Sequence, residues 1–271
     1  MINFNGTILP NSESGIINRA FSYGDALFDT MLCTQGKLIF SEEHYFRLLA
    51  GMRQLRMDIP MFFTQQFWEK EILKTLESNS LTTGRIRTTV FRNSEGFYLP
   101  LSNEIGFIIQ TQVVTHIISD TFQIGIYKDH TVGTNSLDNI KTTHRLINVL
   151  ASIYAQENHL DTCILLNHRK QIVGGIHANL FAVFGPIIKT PALSEGCING
   201  IIRQKIIQII SKESDLKIIE TELTPFDLQL ADEIFLTNSI LGIQSVYEFK
   251  KKNYNNKIAL HLANELQKLF E

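Results

Sequence analysis

Two stretches near the N-terminus place apolar residues on both sides of a turn-forming pair. Residues 2–9 flank Asn5-Gly6, and residues 27–40 are divided by Gln35-Gly36. Asn-Gly favours the positive φ angles of a tight hairpin turn, and a short polar break that contains glycine also marks a hairpin. The pattern therefore predicts that the chain opens with two β-hairpins.

A helical period follows the second hairpin. Its apolar positions are spaced as on one face of a helix: Tyr45, Leu48, Leu49, Met52 and Leu55. Glu42 and Glu43 precede them, and acidic residues suit the N-terminus of a helix because of the helix dipole. Ser41 is a residue type that caps helices. We therefore expect a helix that is capped by Ser41 and packs one face inward.

The rest of the chain mixes helical and extended patterns. Helices are predicted over 65–77, near 143–158, from Gly200 and from Lys257. Strands are predicted at 85–92, 105–113, 122–127, 162–166, 178–184, 233–236 and 244–249. A polar stretch at 115–121 is the best boundary. The sequence thus predicts a two-domain α+β/α/β protein, with a small N-terminal α+β domain at 1–117 and a larger C-terminal domain of mixed β-strands and helices at 118–271.

The composition narrows the range of partners. Because 25 Lys+Arg stand against 27 Asp+Glu, we expect no general attraction to nucleic acid or to an anionic membrane. The three cysteines lack CxxC spacing, which argues against a disulfide framework or a zinc site. No apolar stretch reaches the roughly 18 residues of a membrane span. These features predict a cytoplasmic protein with a small-molecule partner and no metal.

Several short segments stand out by their order and spacing. They are Phe21-Ser22-Tyr23-Gly24-Asp25, His44-Tyr45-Phe46-Arg47-Leu48, Ile140-Lys141-Thr142, Asn179-Leu180-Phe181, Lys189-Thr190-Pro191 and Asn199-Gly200-Ile201-Ile202-Arg203. Together they resemble the class IV aminotransferases, which include branched-chain aminotransferases, D-amino-acid aminotransferases and aminodeoxychorismate lyases. The resemblance implies the D-amino-acid aminotransferase-like fold (fold type IV), the cofactor pyridoxal 5'-phosphate, a small amino substrate and a homodimer.

The resemblance also implies roles for single residues. Lys141 matches the lysine that bonds the cofactor aldehyde and moves a proton at the substrate's α-carbon, although any one lysine is by default a solvated charge. Arg47 matches a phosphate-binding arginine, or is a surface helix residue. The first turn after Asn199, formed by Gly200, Ile201 and Ile202, has the free N–H groups that bind a phosphate, with Asn199 as the expected cap. Ser239 matches a phosphate-binding hydroxyl, or is a turn serine that satisfies its own backbone.

Gly174 departs from the family pattern. Family members usually carry a glutamate at this cofactor-binding position, facing the pyridine nitrogen, and no acidic residue lies between Asp161 and Glu195 here. The departure puts a full electron sink, and with it ordinary transamination, in question. Either His177 or an acid from elsewhere substitutes, or the chain is a non-enzymatic family member that only binds ligands. A lone histidine beside a strand is more often a packing or surface residue.

Three local matches favour a lyase within the family. They are Thr30, His144-Arg145-Leu146 and the run from Asn199 to Gln204. Thr30 stands where the lyases carry a threonine implicated in elimination, although it also suits a strand as a β-branched residue. The expected activity is that of aminodeoxychorismate lyase, which releases pyruvate and 4-aminobenzoate; the alternative is a branched-chain or D-amino-acid aminotransferase. Tyr23 and Arg92 face the substrate by analogy, or are packing and surface groups.

Overall fold

The computed structural model describes residues 1–9, 18–115 and 118–270. The chain forms two compact units. The first unit is Met1–Thr115 with Lys141–His144, and the second is His116–Ile140 with Arg145–Glu271. The predicted division into domains at 1–117 and 118–271 stays a prediction. The four-residue segment Lys141–His144 belongs to the first unit, although the residues on both sides of it belong to the second.

The first unit is an antiparallel six-stranded sheet with helices. Its strands are β1 (Ile2–Phe4), β2 (Thr7–Leu9), β3 (Ala26–Thr34), β4 (Lys37–Leu38), β5 (Gly84–Arg92) and β6 (Ile105–Gln112), in the order β2-β1-β6-β5-β3-β4. Its helices are α1 (Arg19–Tyr23), α2 (Ser41–Gln54) and α3 (Gln65–Ser78). Both predicted hairpins are confirmed, because the strands pair across Asn5-Gly6 and across Gln35-Gly36.

Helix α2 packs the predicted apolar face inward, but its start differs from expectation. Tyr45, Leu48 and Met52 are buried, and the acidic first turn is confirmed. The expectation that Ser41 caps the helix is wrong. Phe40 occupies the cap position with a left-handed φ of 55° and no side-chain hydrogen bond. Ser41 is therefore already inside the helix.

The second unit holds two five-stranded sheets. Its strands are β7 (Gln123–Ile126), β8 (Thr162–Leu166), β9 (Ile172–Gly175), β10 (Asn179–Phe184), β11 (Ile187–Pro191), β12 (Lys217–Thr221), β13 (Glu233–Asn238), β14 (Gly242–Ser245), β15 (Glu248–Phe249) and β16 (Lys252–Asn253). The sheets run β12-β11-β10-β13-β14 and β16-β15-β7-β8-β9. Its helices are α4 (Leu146–Glu157), α5 (Ile201–Ile210), α6 (Pro225–Leu230) and α7 (Lys257–Lys268). A core cluster unites buried side chains of both sheets, including Ile124, Ile164, Leu180 and Ile234.

Some elements of the second unit escaped prediction for physical reasons. Strand β9 ends in Gly174-Gly175, and glycine gives no β-branched signal. Helix α6 has 6 residues, fewer than two turns, so no helical period develops. Helix α4 starts at Leu146 and not near 143, because residues 141–144 are extended against β3.

Two kinds of feature are absent from the described residues. Within residues 1–9, 18–115 and 118–270, no helix is long and apolar enough to cross a membrane. Over the same ranges, no group of three or more His, Cys, Asp or Glu residues is arranged to hold a metal ion.

Candidate active site

Backbone pairing with β3 fixes Lys141 in the first unit. The N–H of Phe28 donates to the carbonyl of Lys141 at 2.8 Å, and the N–H of Thr143 donates to the carbonyl of Ala26 at 3.0 Å. The Lys141 Nζ lies 4.2 Å from the centroid of the Phe28 ring. This arrangement is a cation–π contact when the amine is protonated. The lysine chosen from the motif is therefore held in an extended segment over an aromatic ring.

Arg87, on β5, also contacts the Phe28 ring. Its guanidinium carbon lies 3.7 Å from the Phe28 centroid, and the side chain is half-buried. Burial, together with the neighbouring Arg85, lowers the pKa of Arg87 to about 10, so it stays charged at neutral pH. Among the described residues no carboxylate forms an ion pair with Arg87. A partly desolvated cation that contacts the same aromatic ring as Lys141 is suited to bind an anion.

Thr30 completes this cluster. It lies directly opposite Arg87 in the β3–β5 register, and its side chain leaves β3 on the same side as Phe28 because side chains alternate along a strand. We call these four residues, Phe28, Thr30, Arg87 and Lys141, the lysine face. Two predicted catalytic residues, Lys141 and Thr30, thus share one face. Sequence reasoning missed Arg87, since an arginine in an alternating strand pattern is ordinarily a surface residue.

Arg47 lies on the other side of β3. Its Nε and Nη2 each approach Asp29 Oδ2 at 2.8 Å, and 17% of its side chain is exposed. Burial alone would raise the pKa of Asp29, but Arg47 and His44 outweigh it and lower that pKa to about 2. Arg47 is therefore held by a partner that is ionised at neutral pH. The quoted motif at 44–48 contained His44, but Asp29 lay in none of the quoted motifs, and nothing in the sequence linked Asp29 to Arg47.

The structure gives the two substrate candidates different surroundings. Arg92 is buried, and its guanidinium donates to Asp25 at 3.0 Å, to Asn103 at 2.6 Å and to the Leu55 carbonyl at 2.7 Å. These bonds hold the Arg92 guanidinium in the interior of the first unit, and a substrate role for Arg92 stays a prediction. Tyr23 is 41% exposed and its ring lies 5.6 Å from that of Tyr98. A substrate role for Tyr23 stays a prediction.

In the second unit, the N-terminus of α5 has no side-chain cap. The cap residue is Gly200, in an extended conformation, so the expectation that Asn199 caps the helix is wrong. A Cβ at position 200 would lie 2.1 Å from Asn179 Oδ1, which explains the glycine. Asn179 Nδ2 donates to the Ile198 carbonyl at 2.8 Å and so anchors the turn. The first-turn N–H groups, including those of Ile201 and Ile202, have no partner within the helix.

A buried hydroxyl lies on the same sheet face as Asn179. Thr237 on β13 stands directly opposite Asn179 on β10, so both side chains project from one face. Thr237 Oγ1 is buried and has no hydrogen-bond partner among the described residues. Ser239 follows in a turn whose N–H groups at positions 240 and 241 donate to Asn238 Oδ1. The turn is thus satisfied by Asn238, not by Ser239.

A protein-family model described as Amino-transferase class IV matches residues 26–249. The chain belongs to the class IV aminotransferase family. It is therefore an enzyme of this family, whose cofactor is pyridoxal 5'-phosphate and whose members act on small amino substrates. The resemblance drawn from the motifs is confirmed, and so is the fold type.

Its relatives carry different activities. A putative branched-chain-amino-acid aminotransferase of Methanocaldococcus jannaschii is 26% identical, covering 100% of this chain and 95% of that protein. The aminodeoxychorismate lyase of Vibrio harveyi is also 26% identical, covering 88% of each. A crystal structure of a putative 4-amino-4-deoxychorismate lyase from Legionella pneumophila has a TM-score of 0.88 at 24% identity, covering 98% of this chain and 97% of that one. The last likeness shows the fold alone. The expected homodimer and cytoplasmic location stay predictions.

The second unit fits the phosphate of this cofactor. The Thr237 hydroxyl is buried, has no hydrogen-bond partner in the described part of the chain, and faces the same side as Asn179, which anchors the α5 turn. That turn offers unpaired N–H groups and the positive end of a helix dipole, which together favour a dianion. The close approach of Gly200 to Asn179 leaves no room for a side chain. The helix end and the buried hydroxyl are independent observations, and each is suited to an anion.

The class IV family's glutamate position is closed at Gly174. A Cβ there would lie 2.8 Å from the Ala178 carbonyl oxygen, which already accepts the Gly175 N–H at 2.9 Å. Since the obstacle is backbone, Gly174→Glu requires a shift of the β9–β10 connection. Glu195, the next acid along the chain, is buried and bonded to Asn167 and Arg169. His177 is exposed, as a surface histidine would be.

Proposed function

We propose that the protein is an aminodeoxychorismate lyase-like enzyme, which releases the enolpyruvyl side chain of aminodeoxychorismate as pyruvate and leaves 4-aminobenzoate. Gly174 carries the proposal. The backbone that closes around it provides no carboxylate at the position where the family protonates the cofactor ring. A lyase tolerates a weaker electron sink, because aromatisation of the leaving ring helps to drive the elimination. The similarity to the Vibrio harveyi lyase supports it.

The lysine face supplies the reacting groups. The bound cofactor provides an aldehyde for the substrate amine and a ring that withdraws electrons. Lys141 is the amine that the substrate amine replaces, and it then holds and moves the proton at the substrate's α-carbon. Thr30 projects from the same face of β3 and offers a hydroxyl to the leaving side chain. Phe28 lies beneath the Lys141 amine, with its ring centroid 4.2 Å from Nζ.

Arg87 is the group that would bind a substrate carboxylate. It is charged, half-buried and without an acidic partner among the described residues, and it contacts the same ring as Lys141. Aminodeoxychorismate and amino acids all carry carboxylates, and arginine binds them through paired hydrogen bonds. The cation therefore orients the substrate with respect to the amine.

Each unit, taken by itself, holds candidate groups for the cofactor's phosphate. In the second unit, the first turn of α5, Ser239 and Thr237 offer N–H and hydroxyl groups to it. In the first unit, Arg47 matches the family's phosphate-binding arginine and is held by Asp29. Gly174 lines the cofactor position without contributing a charge.

A second candidate is an aminotransferase for branched-chain or D-amino acids. The Methanocaldococcus jannaschii relative, similar over the whole of this chain, favours it. A non-enzymatic binder, the third possibility raised by Gly174, is not supported, because the family shows an enzyme.

The product decides between the two activities. With pyridoxal phosphate and aminodeoxychorismate, we expect 4-aminobenzoate and pyruvate in equal amounts, measured by chromatography and by a coupled lactate dehydrogenase assay. Transfer of an amino group from branched-chain or D-amino acids to 2-oxoglutarate, without 4-aminobenzoate production, would establish the alternative.

Arg87→Gln tests the carboxylate site. Loss of a charge-assisted hydrogen bond of about 2 kcal/mol predicts a rise in KM of about 30-fold. Arg85→Gln is the matched control, because Arg85 lies two residues earlier on β5, where it bonds Gln112; its KM is expected to change less than about threefold. Equal effects of the two substitutions would remove Arg87 from the site.

Thr237→Val tests the buried hydroxyl through opposite effects on stability and binding. Removing an unsatisfied buried hydroxyl is expected to raise the free energy of unfolding of the cofactor-free protein by about 1 kcal/mol. It is also expected to weaken pyridoxal phosphate binding about five- to tenfold, since a phosphate contact is lost.

Thr190→Val is the matched control for this test. Thr190 is buried in the same sheet, but its hydroxyl donates to the Leu180 carbonyl at 2.8 Å, so its loss should destabilise the protein. Unfolding by denaturant and fluorescence titration with cofactor measure the two quantities. A more stable Thr237→Val protein with unchanged cofactor affinity would contradict the assignment of Thr237 to the phosphate.

A further inference from the structure

The carboxylate of Asp29 is held at both of its oxygens inside the first unit. Oδ1 lies 2.5 Å from His44 Nδ1, and Oδ2 lies 2.8 Å from Arg47 Nε. The side chains of Asp29 and His44 are 3% and 1% exposed. The group therefore consists of one strand residue and two helix residues and is almost completely removed from water.

This geometry fixes the plane of the Arg47 guanidinium. Two of its nitrogens, Nε and Nη2, approach the same carboxylate oxygen, which restrains rotation about the end of the side chain. His44 precedes Arg47 by one helical turn, and its Nδ1 lies 3.4 Å from Arg47 Nη2. A long arginine side chain is otherwise free to adopt many rotamers.

Stability alone gives a poor reason for such a group. Burying an ionised pair costs solvation free energy that the pair's attraction often fails to exceed, and apolar residues of similar volume frequently serve better. His44 Nε2 is, in addition, buried without a partner among the described residues. A buried charge network is better explained where the orientation of a charge matters for binding.

We infer that Asp29 and His44 are positioning residues that hold the Arg47 guanidinium in the orientation that receives the cofactor's phosphate. The inference rests on the proposed role of Arg47. Asp29 keeps its charge at neutral pH, because Arg47 and His44 lower its pKa to about 2 against the effect of burial. Asp29 and Thr30 are consecutive on β3, so the positioning group and the lysine face are set by one strand.

A positioning role for Asp29 predicts a different binding result from a merely structural role. If Asp29 acts through Arg47, its loss weakens binding of the phosphate group and leaves binding of the rest of the cofactor unchanged. Pyridoxal, which lacks the phosphate, is the matched probe. The ratio of the dissociation constants of pyridoxal and pyridoxal 5'-phosphate therefore reports on the phosphate contact.

The test is a double-mutant cycle on the full-length protein, read by absorbance titration of the cofactor-free form with both probes. We expect Arg47→Gln to lower the ratio about tenfold or more, and Asp29→Asn to lower it about five- to tenfold. In the Arg47→Gln background, Asp29→Asn is expected to lower it no further, because the two changes remove one interaction. Asp29→Glu should restore part of the ratio.

Glu71→Gln is the matched control. Glu71 is also a buried carboxylate of the first unit, bonded to Asn3 Nδ2 at 2.6 Å and without contact to Arg47. Its loss is expected to lower the unfolding temperature and to leave the ratio unchanged. Should Asp29→Asn fail to fold, His44→Gln is read in the same way, with an expected fall of about threefold.

Two results would overturn the inference, and they differ. If Arg47→Gln lowers the ratio while Asp29→Asn and His44→Gln do not, the positioning role fails and the phosphate role of Arg47 stands. If Arg47→Gln leaves the ratio unchanged, the proposed role of Arg47 fails and the positioning role fails with it.

Discussion

The pairing of residues 141–144 with β3 is the constraint on which the candidate site depends. Two backbone hydrogen bonds, from Phe28 to Lys141 and from Thr143 to Ala26, hold the segment extended against the first strand residues. Because side chains alternate along β3, Phe28 and Thr30 project from one face of the strand and Asp29 projects from the other. The Lys141 amine and the Arg47 guanidinium are thus organised by opposite faces of a single strand.

In the second unit, the N-terminus of α5 is held in place by a residue of the sheet, Asn179 on β10. Strands β10 and β13 pair with Asn179 opposite Thr237, and Asn179 also anchors the turn before α5. Gly200 is required there since any Cβ would meet the Asn179 side chain. The helix N-terminus, which has no side-chain cap from Gly200, and the buried Thr237 hydroxyl both leave polar groups that an anionic ligand could satisfy.

Local sequence signals predicted the hairpins and the family. The contacts that could not be predicted join residues that lie far apart in the sequence. The hairpins followed from Asn5-Gly6 and Gln35-Gly36, and the family followed from ordered motifs around Lys141. The bonds of Asp29 to His44 and Arg47 join strand to helix, so no sequence spacing reports them. The glycine at position 174 was visible in the sequence. That the Ala178 carbonyl leaves no space for a side chain there could be learned only from the backbone structure.

Covalent attachment of the cofactor at Lys141 is the central claim. The most direct measurement is borohydride reduction of the protein loaded with pyridoxal phosphate, followed by digestion and mass spectrometry, with the visible spectrum recorded before reduction. The account predicts a visible band that is absent from Lys141→Ala, and a cofactor adduct on the peptide that contains Lys141. A band that persists in Lys141→Ala, or an adduct on another lysine such as Lys128, would contradict it.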